Sequence, residues 1–418
     1  MHRVRFLVLL GGLAHATWVG GPARLAAATD ANRSRGETLP RVFLLDATAL
    51  VETGRRVAAG DRELAPAVAR LRDEADRALA AGPFSVTAKK ALPPSGDKHD
   101  YMSLGPYWWP DPGNPDGKPY VRRDGQVNPE RHQYDNAPMS EMCAAVDTLA
   151  LAYYLTGHEP YARHAAKLLR AWFLDEATRM NPHLEFGQAI PGRCQGRGIG
   201  IIDTTRLVRL VDAVGMLAGS PAWTETDRES LQAWFAEYLR WMLQSKYGRD
   251  ESRTRNNHGT WYDVQVASFA LFAGREEVAR KVLTEVPTRR IATQILPDGS
   301  QPHELARTRS FDYSTMNLRG MFALACLGEC VGADLWNFQT DDGRGIRKAL
   351  DWLIPFASGE AEWRHKQISE FRPAQLLPLL RAAAIAYREP RYERLIAGLP
   401  DSDFAGDRVQ LLSPRPDF

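Results

Sequence analysis

The sequence carries almost no excess of charge of either sign, with a formal net charge of +2 over 418 residues. Proteins that bind nucleic acids usually have a much more basic balance, so we expect no nucleic-acid partner. Hydrophobic residues make up 44% of the chain and charged residues 25%, which is typical of a soluble globular protein with a sizeable core. The length suits one large domain or two ordinary ones.

Cysteine is also scarce, and the four cysteines form no metal-binding pattern. The chain contains no Cys-x-x-Cys or His-x-x-x-His motif, so we expect no zinc site. Cys326 and Cys330 lie four residues apart in a helical pattern, where they share a face but are badly oriented for a disulfide. We predict that both are small core residues, while the sequence leaves the disulfide state of the four cysteines open.

No apolar run is long enough to span a bilayer, and the longest near the N-terminus is Phe6–Ala14. It follows the basic stretch His2–Arg5 and precedes small residues at Ala26–Ala28, which together resemble a secretory signal. We therefore predict a signal peptide over residues 1–28, a mature chain that begins near Thr29, and a periplasmic or secreted protein without stable membrane insertion. An uncleaved membrane anchor is the alternative.

Strand-like alternation is rare, and from Met139 onwards the apolar residues recur at helical spacing. A dozen or so helices joined in pairs by short loops indicate an all-α toroid or solenoid, and no fixed repeat suggests a tetratricopeptide or ankyrin array. We assign residues 29–60 to a polar N-terminal segment, 61–400 to the helical domain and 401–418 to a C-terminal tail. Gly157 is predicted to end a helix, Asp203 to cap one through Leu217, and Thr224 to cap another through about Gln244.

Three long polar loops interrupt the helical pattern, at Ser85–Pro138, Asn181–Gly200 and Pro297–Ser310. In a helical toroid such loops gather at one end, where they can form a cleft. The first contains Tyr101-Met-Ser-Leu-Gly-Pro-Tyr-Trp-Trp-Pro110, which we interpret as an ordered cover or, equally, as a hydrophobic plug under the loop. Its candidate substrate contacts are Tyr107, Trp108 and Trp109, and those of the second loop are Gln188 and Arg197.

The segment Arg255–Asp263, Arg-Asn-Asn-His-Gly-Thr-Trp-Tyr-Asp, is polar and leads directly into the apolar run Val264–Phe272. Adjacent asparagines compete for backbone hydrogen bonds, so we predict a loop at the mouth of a helix that Thr260 caps. Such a loop presents Asn257 and His258 to a ligand, although a lone histidine is usually structural.

Some fifty residues later, Arg307 and Tyr313 lie six apart at the predicted start of another helix. Together with Asn257 and His258 they would form an anion site that also contains proton-transfer groups. Each has a structural alternative, a surface ion pair for Arg307 and simple packing for Tyr313. Trp261 is a further candidate, although a tryptophan is more often a core residue than a platform for a sugar. Three arginines could line the path of an anionic polymer, but a solvated loop explains them equally well: Arg249, Arg253 and Arg255.

This combination suits β-elimination from a uronate glycoside. The carboxylate already bears charge, so removal of the C5 proton requires that charge to be neutralised, and Asn257 and Arg307 could do so. A base then takes the proton and an acid protonates the departing O4. In β-linked mannuronate or glucuronate, H5 and O4 lie on the same face of the sugar ring. Tyr313 alone could therefore serve both steps if cationic Arg307 and His258 lower its pKa.

The motifs also resemble a known family. Asn256-Asn-His-Gly-Thr-Trp-Tyr-Asp263, Glu304-Leu-Ala-Arg-Thr-Arg309 with Tyr313, Asp100-Tyr-Met-Ser-Leu104, Pro106-Tyr-Trp-Trp-Pro110 and Gly196-Arg-Gly-Ile-Gly200 are similar to the alginate-lyase domain superfamily. The last three resemble the branch of polysaccharide lyase family 38, which includes glucuronan lyases. The similarity extends from about Lys98 to Ile368.

The resemblance implies an (α/α) toroid, an incomplete barrel of helical hairpins, and elimination without a metal or other cofactor. By motif position, Asn257 and Arg307 are the neutralising residues, His258 and Tyr313 transfer protons, and Glu304 is a further substrate contact. The older alginate lyases of family 5 differ, because Gly259-Thr260 replaces a Ser-Tyr pair and the Arg-to-Tyr interval is slightly shorter. That difference bears on the alginate preference more than on the chemistry.

We therefore predict a polysaccharide lyase that cleaves β-1,4-linked polyuronates, glucuronan or alginate (polymannuronate), and leaves unsaturated uronate ends. One alternative is an inverting glycoside hydrolase on a similar fold that uses carboxylates such as Asp263, Glu304 or Asp312. Another is a non-catalytic helical protein that binds glycans or serves as a scaffold. The sequence does not choose between the polyuronates, between internal and terminal cleavage, or between oligomeric states.

Overall fold

The computed structural model describes residues 39–399 and 404–418. The predicted signal peptide lies outside these residues, so export stays a prediction. The described chain is mostly helical, and its α-helices are α1 (Ala47–Ala58), α2 (Ala65–Ala78), α3 (Asn136–Thr156), α4 (Glu159–Leu169), α5 (Leu207–Met216), α6 (Glu225–Gln244), α7 (Lys246–Ser252), α8 (Asn257–Phe272), α9 (Glu276–Val286), α10 (Ala292–Gln294), α11 (Pro302–Leu305), α12 (Ser310–Val331), α13 (Ile346–Ala357), α14 (Leu377–Tyr387), α15 (Pro390–Ala397) and α16 (Val409–Leu412).

Consecutive helices pack in pairs, α3 with α4, α8 with α9, and α14 with α15. α3, α8 and α12 are apolar on most sides, and every residue from Gly259 to Phe272 is buried. Such helices belong to the interior, whereas α4, α9 and α13 are amphipathic and cover them. The architecture is all-α, an incomplete (α/α) toroid, as the resemblance implied.

Several predicted helix ends agree with the structure. Thr224 and Asp227 form a capping box at the start of α6, and Gly157 ends α3 in the left-handed conformation with φ of 70°. Cys326 is fully buried in the core. Within the described residues, no helix is both long and apolar enough to cross a membrane.

The strands are short and lie in the predicted polar loops. β1 (Met102–Leu104) pairs in parallel with β4 (Phe186–Ala189), and β2 (Trp108–Trp109) pairs antiparallel with β3 (Val121–Arg122). The first pairing joins two loops that are far apart in the sequence, and the second lies within the first loop. The segment from Tyr101 to Pro110 is therefore ordered, which both of our interpretations allow.

The helical domain extends beyond the predicted limits of 61 and 400. Asp46 caps α1 within the segment that we assigned as polar, and the backbone N–H groups of residues 43–45 donate to the buried carboxylate of Asp212. At the other end, Leu411 and Leu412 of α16 are buried, inside the predicted tail. α16 has only four residues, too few to show a helical period in the sequence.

Two predicted caps are wrong. Asp203 lies inside a 3₁₀ segment, Gly198–Arg206, and its carboxylate accepts hydrogen bonds from Tyr101, Ser103 and Gln188. α5 begins only after that segment. α8 begins at Asn257 rather than at Thr260, because the side chain of Asn256 accepts the backbone N–H of His258 and caps the helix. The first turn of α8 therefore holds both polar candidates.

Candidate active site

A cleft of about 850 Å³ opens at the end of the toroid where the three polar loops meet. Tyr107 and Arg122 come from the first loop and Arg309 from the third. The helices α8, α12 and α14 form the floor. The cleft brings together all four predicted catalytic residues and four of the six predicted substrate-binding residues: Asn257, His258, Arg307 and Tyr313, with Gln188, Arg197, Trp108 and Trp261.

Asn257 is held by a buried carboxylate. Its backbone N–H and its side-chain Nδ2 donate to the two oxygens of Glu304, each at 2.7 Å. Glu304 is 1% exposed, and burial raises its pKa despite the two hydrogen bonds from Asn257. Glu304, a predicted substrate contact, does not line the cleft: it lies behind Asn257 and fixes the direction of the asparagine amide.

His258 has a similar partner on α7. Its Nδ1 lies 2.8 Å from Oε1 of Glu251, whose side chain is 1% exposed. A carboxylate at Nδ1 favours the tautomer with the proton on that nitrogen, and this leaves Nε2 as the acceptor. Because His258 lines the cleft, Nε2 is available to take a proton from a ligand.

We expect Glu251→Gln to lower kcat about tenfold to hundredfold, the usual cost of losing a buried orienting carboxylate. Glutamine can rotate its amide and present a donor to Nδ1, so the imidazole loses its defined tautomer. Steady-state kinetics on a cleaved polyuronate would measure the change. The matched control is Glu237→Gln, which removes an exposed carboxylate paired with Arg240. Equal kcat in the two variants would contradict the role of Glu251.

The hydroxyl of Tyr313 lies at the centre of a small polar network. It is 2.6 Å from the hydroxyl of Tyr107 and accepts a hydrogen bond of 2.8 Å from Nη2 of Arg307. The Arg307 guanidinium also lies over the Tyr313 ring, 3.8 Å from its centroid. Residues from the first and third polar loops thus meet at one oxygen.

The pKa of Tyr313 is raised, contrary to our expectation. Burial of the phenol is the main cause, the neighbouring Tyr107 adds to it, and the charge of Arg307 opposes it without prevailing. The phenol therefore keeps its proton at neutral pH. In that form Tyr313 has a proton to donate.

Arg307 is paired with a carboxylate that the sequence did not reveal. Its Nη2 donates to Oδ1 of Asp124 at 2.8 Å, and the Thr308 hydroxyl donates to the other oxygen at 2.9 Å. Burial opposes ionisation of Asp124, but the hydrogen bond and charge of Arg307 outweigh it and lower the pKa of Asp124. Arg307 thus shares its positive charge with Asp124 and cannot give all of it to a ligand.

Arg197 retains an unshared charge. Its Nε and Nη2 donate to the carbonyl oxygen and to Oε1 of Gln188, each at 3.0 Å, and it makes no ion pair within residues 39–399 and 404–418. The guanidinium lies 5.9 Å from the ring centroid of Trp108. Gly105 makes this approach possible, because a Cβ there would lie within 2.8 Å of both side chains.

Two other predicted contacts, Trp109 and Trp261, have mainly structural partners. Trp109 does not line the cleft: its indole donates to the carbonyl of Gln126, and Arg123 lies over the ring. Trp261 lines the cleft but is 3% exposed, and its indole donates to the carbonyl of Met316. It is chiefly a core residue. The proposed polymer path is not part of this cleft, since none of its lining residues is Arg249, Arg253 or Arg255.

The carboxylates of the hydrolase alternative are all engaged. Asp263 is buried and accepts from Arg289 and Arg290, and burial raises its pKa. Glu304 holds Asn257. Asp312 lines the cleft, but its oxygens accept hydrogen bonds from three side chains: Arg309, Ser369 and Gln375. These three carboxylates do not form the opposed acid and base that an inverting hydrolase requires.

Sequence reasoning missed Glu251, Asp124, Tyr107 as the partner of Tyr313, and the arginines Arg319 and Arg372 of the cleft. Glu251 lies seven residues before His258, and the end of α7 between them hides that proximity. Asp124 is 183 residues from Arg307. Arg309 also lines the cleft, and it is the one missed residue for which the sequence offered a local signal, because it lies in the Glu304–Arg309 motif.

Comparison with known proteins identifies the family. The family profile described as alginate lyase matches residues 85–363. An alginate lyase from Bacteroides ovatus, solved by crystallography, is 40% identical with a TM-score of 0.87, over 90% of this chain and 99% of that one. Alginate lyase A1-III, solved in complex with a tetrasaccharide, is 16% identical with a TM-score of 0.59, over 92% and 99%, and indicates a shared fold only.

No curated protein sequence matches the chain. The profile nevertheless covers more than half of the 418 residues and includes Asn257, His258, Arg307 and Tyr313. The similarity to the Bacteroides ovatus enzyme extends over nearly the whole chain. The chain therefore belongs to the alginate lyase family and is a polysaccharide lyase.

Proposed function

We propose that the protein cleaves β-1,4-linked polyuronates, glucuronan or polymannuronate, by β-elimination and leaves an unsaturated uronate at the new end. The observation that carries this proposal is the network at Tyr313. A protonated phenol, bonded to Arg307, shares one cleft with an amide and an imidazole. Each of the latter two has its direction set by a buried carboxylate.

The first requirement of the reaction is neutralisation of the substrate carboxylate. Asn257 offers the second hydrogen of its Nδ2, since the first is donated to Glu304. Arg197 offers an unshared positive charge, whereas Arg307 is already paired with Asp124. We therefore assign the main charge neutralisation to Asn257 and Arg197, with Arg307 as a partial contributor that also binds the phenol oxygen. Donors fixed in this way stabilise the enolate-like intermediate without reorganising.

The second requirement is a base and an acid. Tyr313 holds its proton because its pKa is raised, so we assign it as the acid that protonates O4 of the leaving sugar. His258 lines the cleft and its Nδ1 is held by Glu251, so we assign its Nε2 as the base that removes the C5 proton. The electron pair of the broken C5–H bond forms the C4–C5 double bond as O4 departs. This division replaces the single-residue scheme that the sequence suggested.

A screen of polyuronates tests the proposal. The mature protein is incubated with polyglucuronate, polymannuronate and polyguluronate, and with a neutral β-1,4-glucan as control. We expect far-ultraviolet absorbance from the new double bond to rise with at least one of the first two and to stay flat with the glucan. Chelator should leave the rate unchanged. Chain shortening without absorbance would indicate hydrolysis, and binding without shortening would indicate a non-catalytic protein.

A further inference from the structure

Gln188 lies at a bulge between the strands β1 and β4. Between the two pairs of facing residues, β1 contributes only Ser103, whereas β4 contributes Gly187 and Gln188. Gln188 adopts the left-handed conformation, with φ of 50°, which residues other than glycine rarely take. A bulge of this kind turns a side chain in a direction that a regular strand does not provide.

The side-chain amide of Gln188 is engaged at both ends. Its Nε2 donates to Oδ1 of Asp203 at 2.9 Å, and its Oε1 accepts from Nη2 of Arg197 at 3.0 Å. The amide has only one favourable orientation, because a reversed amide would place its oxygen against a carboxylate and its nitrogen against a guanidinium. The residue is 5% exposed. Both polar ends of Gln188 therefore face protein groups.

Asp203 fixes the backbone of the bulge as well as the amide. The buried hydroxyl of Ser103 accepts the backbone N–H of Gln188 at 2.7 Å and donates to Oδ2 of Asp203 at 2.5 Å. The buried phenol of Tyr101 donates to the same oxygen at 3.0 Å. One carboxylate thus holds Gln188 through its main chain and its side chain.

The segment Gly196-Arg-Gly-Ile-Gly200 approaches the bulge closely because of its glycines. A Cβ on Gly196 would lie 1.9 Å from the carbonyl oxygen of Glu185, and one on Gly200 would lie 2.5 Å from that of Gly187. The backbone N–H of Arg197 donates to the same carbonyl of Gly187 at 3.1 Å. The glycines therefore allow the main chain at Arg197 to lie directly against β4.

We propose that Gln188 and Asp203 are positioning residues for Arg197: they direct its guanidinium at the carboxylate of the reacting sugar and leave its positive charge unshared. The inference rests on the proposed function, which assigns charge neutralisation to Arg197. A neutral amide accepts from a guanidinium without adding a negative charge, whereas Asp124 takes up part of the charge of Arg307. The carboxylate that fixes this arrangement lies one side chain further away.

Gln188→Glu tests the need for a neutral acceptor. Glutamate has nearly the same size and still accepts from Arg197, but it places a negative charge against the guanidinium. At neutral pH we expect kcat to fall about hundredfold, as when one fixed donor to a developing oxyanion is lost. KM should rise by a smaller factor, because the second negative charge of the substrate exists only in the enolate-like intermediate.

The matched control is Gln232→Glu. Gln232 also accepts from an arginine, Nη1 of Arg228, through Oε1, and its Nε2 donates to the carbonyl of Phe272. It does not line the cleft. We expect this variant to retain the wild-type kcat, and an equal loss of kcat in the two glutamate variants would overturn the proposal.

A pH profile distinguishes positioning from a role in folding alone. As the pH falls, the introduced carboxyl takes up a proton, and its O–H then donates to Asp203 while its other oxygen accepts from Arg197. The rate of Gln188→Glu divided by the wild-type rate should therefore rise at least about tenfold from about pH 8 to about pH 5. A constant ratio would contradict the proposal. Other titratable groups that act on Arg197 are the same in both proteins and cancel in the ratio: Arg122, Cys194 and Glu251.

Gln188→Met keeps the test decisive if a thermal melt shows that Gln188→Glu is unfolded. Methionine is similar in size but offers no acceptor, so the guanidinium keeps its charge and loses its fixed direction. We expect kcat to fall about tenfold, the value of one hydrogen bond to a charged group. A folded Gln188→Met protein with the wild-type kcat would overturn the positioning role.

A binding measurement separates this inference from the proposed elimination. If no polyuronate yields unsaturated product with the wild-type protein, the elimination fails, and calorimetric titration with a glucuronate tetrasaccharide then decides the positioning role. We expect Gln188→Glu to bind the tetrasaccharide about tenfold more weakly than Gln232→Glu, because the charge of Arg197 is then shared. Equal affinities would show that Gln188 does not control that charge.

Discussion

Tyr313→Phe is expected to slow the formation of unsaturated product by about 1000-fold, within the range that general acid catalysis contributes. The substitution removes only the hydroxyl that accepts from Arg307 and that we assign as the donor to O4. The ring can keep its packing beneath the guanidinium. The rate is measured by far-ultraviolet absorbance, and a thermal melt shows whether the variant is folded.

The control for this prediction is Tyr107→Phe, which removes the neighbouring hydroxyl and leaves that of Tyr313 in place. We expect it to cost about tenfold, the value of one hydrogen bond. Near-normal activity of Tyr313→Phe would refute the assignment and leave His258 as the principal proton-transfer residue.

The pH dependence separates the two roles of the phenol. Because the pKa of Tyr313 is raised, the acid keeps its proton through the neutral range, and activity should fall on the alkaline side only above about 10, the ordinary value for tyrosine. A tyrosine that acted as the base would instead become more active as the pH rises towards its pKa. A profile of kcat/KM against pH, recorded with a stable folded protein, distinguishes the two.

Asn257→Ala is expected to lower kcat by about 100-fold to 1000-fold, as the loss of one fixed donor to a developing oxyanion does. It should also destabilise the protein by about 1–3 kcal/mol, because one oxygen of buried Glu304 loses its side-chain hydrogen bond. Single-turnover kinetics and the free energy of unfolding would measure the two effects separately.

Glu304→Gln provides the comparison for Asn257→Ala. It retains the size of the side chain and the asparagine amide, but it replaces one acceptor with a donor. We expect a similar loss of stability and a smaller loss of kcat, since Asn257 can still contact the ligand. Should Asn257→Ala lose stability but retain its rate, the asparagine would be structural only.

Local sequence patterns predicted the helices and several of their ends correctly. The capping box at Thr224, the left-handed Gly157 and the apolar periods of the helices depend on residues a few positions apart, and all agree with the structure. The same local reasoning failed at Asp203, which resembles a cap but accepts from side chains about 100 residues away in Tyr101 and Ser103. An aspartate can serve either as a helix cap or as a buried hydrogen-bond acceptor, so the residue type alone does not distinguish the two.

The partners of the candidate residues could not be predicted. Asp124 lies 183 residues from Arg307, and Glu304 lies 47 residues from Asn257. The structure also explains why a glycine stands at position 259, where the sequence alone showed only a difference from family 5. A Cβ there would lie 2.2 Å from the carbonyl oxygen of Thr254 and 2.3 Å from Nη1 of Arg290, so no larger residue fits without a shift.

The sequence by itself determined an all-α fold and the residues that could neutralise a carboxylate and move a proton, because residue type and helical period are local properties. Only the tertiary structure decided how those residues divide the work. Burial within the folded cleft raises the pKa of Tyr313, and pairing with Asp124 takes up part of the charge of Arg307. Desolvation and ion pairing depend on what surrounds a group in space, and segments far apart in the chain supply those surroundings.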